Sequence, residues 1–383
     1  MKLYKIIAHV GGSVAFAAMQ WLILVFLSKY VGINEAGSFS YFLAFFTPLA
    51  IFCAFNFKSV YSADLSEKYQ LIEYESLRTI LNLFYISISI IFLISQNDYF
   101  LIGLMVFLVK LIEVNADLIY GEWVRKGESQ LFGYSKLIKL TLFLIMFYFL
   151  YLYGYEKYSY FIYPLAFIFG YSFFDLRLTK IQYKFNWDKV RPIFIGVLPF
   201  VLTSFLISFN TSIPRFYLNY FFDKRIVAEF MYLTYFTTIM LLPLTSLYQA
   251  ILPKIRKHTS KVFKITIIYN LLFITGFWFL CDFVLEEIYN YYGVISNDIK
   301  ILIMMSMVMQ TLVVFVNMLY VSSMKFKKIF KVTLMNTFIV AILNFIFIKF
   351  FGYVGVYYAS VISSFLLLVN LCVNYLKDKV NEV

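Results

Sequence analysis

Within the stretch "VFLVKLIEVNADLIYGEW", residues 106–123, Lys110, Glu113 and Asp117 interrupt an otherwise apolar run. Their spacing of three and four places all three on one face of a helix. An ionisable group near the bilayer centre costs about 2.5–3.5 kcal/mol on insertion scales, so such groups face a bundle interior or an aqueous cavity. With a span over 99–120, Lys110 lies near the midplane, and Glu113 and Asp117 sit about 4.5 Å and about 10 Å nearer the cytoplasm at ~1.5 Å rise per residue. Two chemistries fit Lys110 and Glu113. One is an internal ion pair that offsets its own insertion cost; the other is a cavity charge that binds substrate or couples an ion. Asp117 is expected to reach interfacial water at the helix end.

Arg215, in "NTSIPRFYLNYFF", is the second notable cation. As an interfacial residue it would snorkel its charge to water. In a cavity its guanidinium fork would match phosphate oxygens. Pro214 removes a backbone donor and restricts Ile213, so the helix is expected to bend or unwind there and open polar backbone to a cavity. Lys58, following Asn56, reads as a positive-inside anchor or as a cation at a cavity mouth. His9 and Gln20 could hydrogen-bond between helices, whereas Asp175, Glu229 and Asp282 are expected to be solvated helix-end residues. No catalytic residue is expected. Only one other histidine, His258, exists, and no zinc spacing, ATP-binding loop or nucleophile elbow is present, so neither a metal nor a cofactor is implied.

These residues are carried by a chain of 383 residues that is 62% hydrophobic and 22% aromatic but only 14% charged. Ordinary soluble domains carry roughly 25% charged residues. Apolar runs of about 20 residues, each long enough to cross a hydrocarbon core of roughly 30 Å, recur from end to end. They predict twelve transmembrane helices, over 8–28, 38–57, 79–95, 99–120, 136–154, 160–179, 193–213, 228–250, 264–285, 300–321, 332–350 and 355–376. No sustained period of two supports a barrel. Loops of at most about 20 residues leave no room for a soluble domain. Cys53, Cys281 and Cys372 share no short spacing and imply no disulfide or metal framework.

With the N-terminus inside, 25 Lys and Arg fall on the cytoplasmic side and seven on the other, which places both termini in the cytoplasm. The net charge of +12 is therefore topological, spread loop by loop, and does not point to nucleic acid. The first helix lacks a convincing signal-cleavage site and reads as uncleaved.

The helices divide six and six at the basic segment "KIQYKFNWDKVRP". The expected organisation is a bundle over 1–179, a cytoplasmic linker over 180–192 and a second bundle over 193–383. Offsetting the chain by 191 residues aligns 26–47 with 217–238, with identities Leu27/Leu218, Phe39/Phe230, Tyr41/Tyr232, Phe45/Phe236 and Thr47/Thr238. An even helix number per half makes the repeat parallel, an architecture suited to rocking-bundle alternating access.

The segments "NTSIPRFYLNYFFDKRIVAEFMYLTYF", "LTSLYQAILPKIRKH", "MQWLILVFLSKYVGINEAGSFSYFLAFFTPLAIFCAFNFKSVYSADL" and "VKLIEVNADLIYGEWVRKGE" carry a family resemblance that extends over essentially the whole chain. It resembles the polysaccharide (O-antigen or capsule) flippases, Wzx-like, of the multidrug/oligosaccharidyl-lipid/polysaccharide exporter superfamily. Departures lie in the loop-to-helix segment, where Val227, Ala228 and Glu229 replace the usual small residues. The resemblance implies an all-α polytopic membrane protein with an inward- or outward-opening V-shaped cavity. It also implies movement of a polyprenyl-diphosphate-linked oligosaccharide from the cytoplasmic to the outer leaflet of the bacterial cytoplasmic membrane. Lys110, Arg215 and Lys58 would meet the diphosphate, and Glu113 and Asp117 would modulate Lys110 or couple a proton or sodium ion. Membrane lipid and polysaccharide assembly proteins are the expected partners, with the protein a monomer. The alternatives are a small-molecule or drug extruder of the same superfamily, and a membrane glycosyltransferase or polymerase.

Overall fold

The computed structural model describes residues 3–63, 69–178, 190–255, 258–291, 293, 295–323 and 326–381, and the regular elements among them are all helical. In chain order they are α1 (Leu3–Phe26), α2 (Ile33–Ala54), α3 (Phe57–Ala63), α4 (Leu71–Ile94), α5 (Phe100–Arg125), α6 (Gln130–Leu152) and α7 (Ser159–Gly170). They continue with α8 (Val190–Phe221), α9 (Lys224–Ile255), α10 (Thr259–Phe283), α11 (Asn297–Ser322), α12 (Phe326–Phe351) and α13 (Gly355–Asn381). Helices α1, α7 and α10 each end in a π-helical turn, over Leu27–Val31, Tyr171–Asp175 and Val284–Ile288.

Among the described residues nine stretches are long and apolar enough to cross a membrane, the last of them covering both α12 and α13. Helix α5 falls outside that set because Lys110, Glu113 and Asp117 occur in every 18-residue window of it, and α7 because it is short. The twelve expected helices are therefore all present, with α3 as an added short piece. Several start well before their apolar run does. Helix α4 begins at Leu71 because Gln70 and Glu73 form a capping box, the Gln70 N–H donating to Glu73 Oε2 at 2.9 Å. Hydropathy marks the part of a helix in hydrocarbon, whereas capping sets where it begins. Large side chains such as Ile91, Leu272 and Phe350 lie exposed on the outer faces, as lipid contact requires.

By contacts the chain forms two compact units, Met1–Ser208 and Phe209–Val383. Residues 180–189 of the expected linker lie outside the described residues, and the division between units falls inside α8. In the first unit α5 packs on α2, α4 and α7, α2 packs on α4, and α6 packs on α1 and α7. In the second unit α11 packs on α9, α10 and α13, α9 packs on α10, and α12 packs on α13. The same neighbour pattern thus recurs, with α2, α4, α5, α6 and α7 matching α9 to α13. Leu27 and Leu218, and Phe39 and Phe230, aligned by the repeat, are buried in both units.

The expected span over 38–57 is broken. Phe55 and Asn56 adopt φ of 53° and 50°, the left-handed region, and end α2. The Asn56 amide donates to Ser204 Oγ at 2.9 Å, and Phe55 stacks on Phe194. Helix α3 then lies against α5 at Gly121, where a Cβ would come within 2.9 Å of the Phe57 carbonyl oxygen. A second close approach, of α1 to α6, requires Gly133, whose Cβ would collide with the Ala8 carbonyl.

Candidate functional site

Helix α5 presents its charged face to the interior of the first unit. Lys110 Nζ lies 2.9 Å from Glu113 Oε2, with the lysine side chain 4% and the glutamate 19% exposed. The ammonium also lies 5.6 Å from the centre of the Phe16 ring, on α1. The ion pair of the first expected reading is present in the structure. One oxygen is left over, because Glu113 Oε1 is buried without a hydrogen-bond partner.

Asp117 is not the freely wetted residue that its place near a helix end suggested. It is half-buried, and its Oδ2 accepts the Lys58 backbone N–H at 2.9 Å, capping the start of α3. The break at Phe55–Asn56 turns α3 back across α5 and brings that N–H to the carboxylate. Lys58 likewise folds inward instead of extending as a loop anchor. Its Nζ sits 3.7 Å over the Phe132 ring and 3.4 Å from His9 Nε2, and His9 itself packs on Phe132 at 4.5 Å.

The most deeply buried charges were assigned elsewhere by hydropathy. Lys139 Nζ contacts Asp175 Oδ2 at 2.5 Å, Tyr120 Oη at 2.8 Å and Ser135 Oγ at 3.0 Å, and the Tyr120 hydroxyl donates to Asp175 Oδ2 at 3.2 Å. The two charged side chains are 1% and 0% exposed. Asp175 is therefore no solvated helix end: the π-helical turn after α7 carries it into the unit. Glu229 is paired with Arg225 at 3.2 Å and Asp282 with Lys300 at 2.6 Å.

Lys136, one residue from Ser135, is buried as well. Its ammonium lies 4.0 Å from the Phe16 ring centre, 5.4 Å from Tyr120 and 5.7 Å from Phe167. Among the described residues no carboxylate lies at ion-pair distance from it. Lys136 and Lys139 escaped notice because the apolar run of α6 begins at 136, which put them at the cytoplasmic rim among loop cations. The glycines beside them were the available signal. Gly133 seats α6 on α1, and a Cβ on Gly170 would press within 2.5 Å of Lys139 Cγ.

The first unit thus gathers Lys58, Lys110, Lys136 and Lys139 with Glu113, Asp117 and Asp175. Arg215 belongs to the second unit, where it is half-buried, donating to the Thr211 carbonyl at 3.3 Å and lying 3.9 Å from Met231 Sδ. The expected unwinding at Pro214 is absent: α8 stays helical through it to Phe221. A proline costs one ladder hydrogen bond, which a long helix in a bundle tolerates when its neighbours re-satisfy the backbone. Among the described residues no group of three or more His, Cys, Asp and Glu could hold a metal, and the three cysteines are free.

No family model matches the chain. It is 26% identical over 375 residues to the capsular polysaccharide biosynthesis protein CapF of Staphylococcus aureus, covering 92% of this chain and 94% of that one. Among solved structures it resembles the lipid II flippase MurJ in an inward closed conformation, with a TM-score of 0.73 at 15% identity, over 98% of this chain and 87% of that one. It also resembles an inward-facing multidrug resistance MATE family transporter of the MOP superfamily, with a TM-score of 0.70 at 14% identity, over 97% and 94% of the two chains. The chain is a multi-pass membrane protein with the fold shared by MurJ and the MATE transporters of the MOP superfamily, similar along nearly its whole length to a capsular polysaccharide biosynthesis protein.

Proposed function

We propose that the protein is a flippase that moves a polyprenyl-diphosphate-linked oligosaccharide, a capsule or O-antigen repeat unit, from the cytoplasmic to the outer leaflet of the bacterial cytoplasmic membrane. The observation that carries this reading is the group of lysines, Lys58, Lys110, Lys136 and Lys139, drawn into the interior of the first unit around α5. An anionic diphosphate entering a low-dielectric site needs such cations, and its glycan needs a hydrated path while the lipid tail stays in the membrane. The similarity to CapF and the fold shared with MurJ support the same substrate class. The excess of basic loops supports both termini in the cytoplasm, and it survives the transfer of Arg78, Lys136 and Lys139 from the loops to the interior.

In this reading Lys110 and Lys58 in the first unit and Arg215 in the second are each candidate cations for the diphosphate, and Glu113 and Asp117 couple the cycle to a proton or sodium ion. No bond is made or broken, so no catalytic residue is required. Membrane lipid and polysaccharide assembly proteins are the partners, and the working unit is a monomer. Deletion followed by a leaflet-resolved assay of the lipid-linked glycan tests the function; unchanged outward delivery sinks it. Lys110→Ala and Arg215→Ala should each reduce export while the protein still accumulates in the membrane. Normal export by both variants removes the cation assignment.

The MATE fold keeps a drug extruder in view. Deletion of such a pump would raise drug sensitivity with glycan export intact.

A further inference from the structure

We propose that Lys136 is an alternative partner for the Glu113 carboxylate, so that Glu113 passes from Lys110 to Lys136 and releases Lys110 to an anionic diphosphate. The proposal rests on the reading of Lys110 given above. A lysine already neutralised at 2.9 Å by Glu113 is a poor receptor for another anion, so a binding role for Lys110 requires somewhere for Glu113 to go.

The interior of the first unit supplies that place. Asp175 is committed to Lys139, Asp117 to the backbone of Lys58 and Glu122 to Lys126. Lys136 is the remaining lysine. It is 6% exposed, with no carboxylate at ion-pair distance among the described residues, and its ammonium is lined by the rings of Phe16, Tyr120 and Phe167. The buried Oε1 of Glu113 is without a hydrogen-bond partner. Lys110 and Lys136 also share one ring, Phe16, at 5.6 and 4.0 Å.

An unpaired charge and an unpaired acceptor in one buried cluster are each expensive; movement of Glu113 to Lys136 satisfies that lysine, and the diphosphate takes the place of the carboxylate at Lys110. The exchange is feasible because the carboxylate travels between two ammoniums and is never left without a cation, which avoids the penalty of breaking a buried pair outright. The remaining groups facing the cluster stay in place. They are His9 and Phe16 from α1, Lys58 from α3, Asp117 from α5, Lys139 from α6 and Asp175 after α7. Lys136 is thus a positioning residue, acting on substrate through Glu113.

The test uses the full-length protein in lipid nanodiscs and a polyprenyl diphosphate carrying no sugar as the probe. Lys136→Met should weaken probe binding by about 5- to 10-fold, the size of coupling between neighbouring charges. In a Glu113→Gln background, where Lys110 is already free, the same substitution should change binding by less than about twofold. Lys136→Arg should bind as the parent does. An equal loss in both backgrounds overturns the proposal, since Lys136 would then act on the ligand or on the fold directly. Lys136→Gln serves where the methionine variant does not yield monodisperse protein. If the parent protein binds no probe, the reading of Lys110 as a diphosphate contact fails, and thermal-melting cycles without ligand decide the exchange. Glu113→Gln should then be non-additive with both Lys110→Met and Lys136→Met, and additivity with Lys136→Met overturns it.

Discussion

The two units repeat one packing pattern but fill it with different chemistry. In the first, buried lysines and carboxylates meet along α5, α6 and the turn after α7. In the second, the corresponding interior is neutral: Thr311 donates to Asn270 at 2.8 Å, Tyr248 pairs with Thr266, and Asn336 and Asn344 are buried. Among the described residues its one buried charged side chain is Lys300, tied to the exposed carboxylate of Asp282. Helix packing tolerates either solution, because what lipid burial demands is hydrogen-bond satisfaction, which amides and hydroxyls supply as readily as ion pairs. A charged interior is the more expensive choice. Among the described residues it is concentrated in the first unit.

The contrast predicts a ranking of effects. Asp175→Ala leaves Lys139 buried without its counter-charge and should cost about 3–5 kcal/mol, read as early melting by size exclusion of heated, detergent-solubilised protein. A parental melting curve would mean that the charged interior does not hold the first unit together. Asn56→Ala loses the bond to Ser204 and puts a β-carbon in the left-handed region, for about 2 kcal/mol, whereas Asn56→Gly keeps the conformation and should melt higher than the alanine variant. The reverse order would separate the break in α2 from backbone strain.

In the second unit, Asn270→Ala should cost only about 1 kcal/mol, because the Thr311 hydroxyl keeps the Val308 carbonyl. A loss as large as that of Asp175→Ala would erase the distinction between the two interiors. Smallest of all is Lys126→Ala, which removes an exposed ammonium from the buried Glu122 and should shift stability by about 1 kcal/mol. The hydrogen bond that the Lys126 ammonium donates to Glu122 holds it above the ordinary lysine range. Its contribution is therefore present throughout neutral and mildly alkaline pH and disappears only as pH climbs through that raised value. Melting temperatures of parent and variant across a pH series check the sign.

Much of the frame was legible in the residues. The periodic apolar runs give twelve helices, and the three-and-four spacing of Lys110, Glu113 and Asp117 puts them on one interior face of α5. Helix starts were less legible, since capping at Gln70 and the continuation of α6 back to Gln130 lie in polar sequence outside the apolar run. Lys136, Lys139 and Asp175 have the composition of a membrane rim, and nothing local distinguishes a lysine that reaches water from one that meets a carboxylate brought from another helix. Pro214 erred in the other direction, since a local signal for unwinding was overridden by a long helix.

The amino-acid sequence by itself determined that the chain spans a membrane as helices, because hydrocarbon admits only segments that satisfy their own backbone and these runs have the length and apolarity to do so. It also determined that α5 keeps a charged face away from lipid. Only the tertiary structure decided which charges meet. The partners of Lys139 and Lys58 come from α7 and α1, and the α2–α3 break that orients Lys58 is tied to Ser204 on α8. Ion pairing depends on distances of a few ångströms between side chains remote in sequence, and those distances are set by helix packing at glycine contacts and not by spacing along the chain.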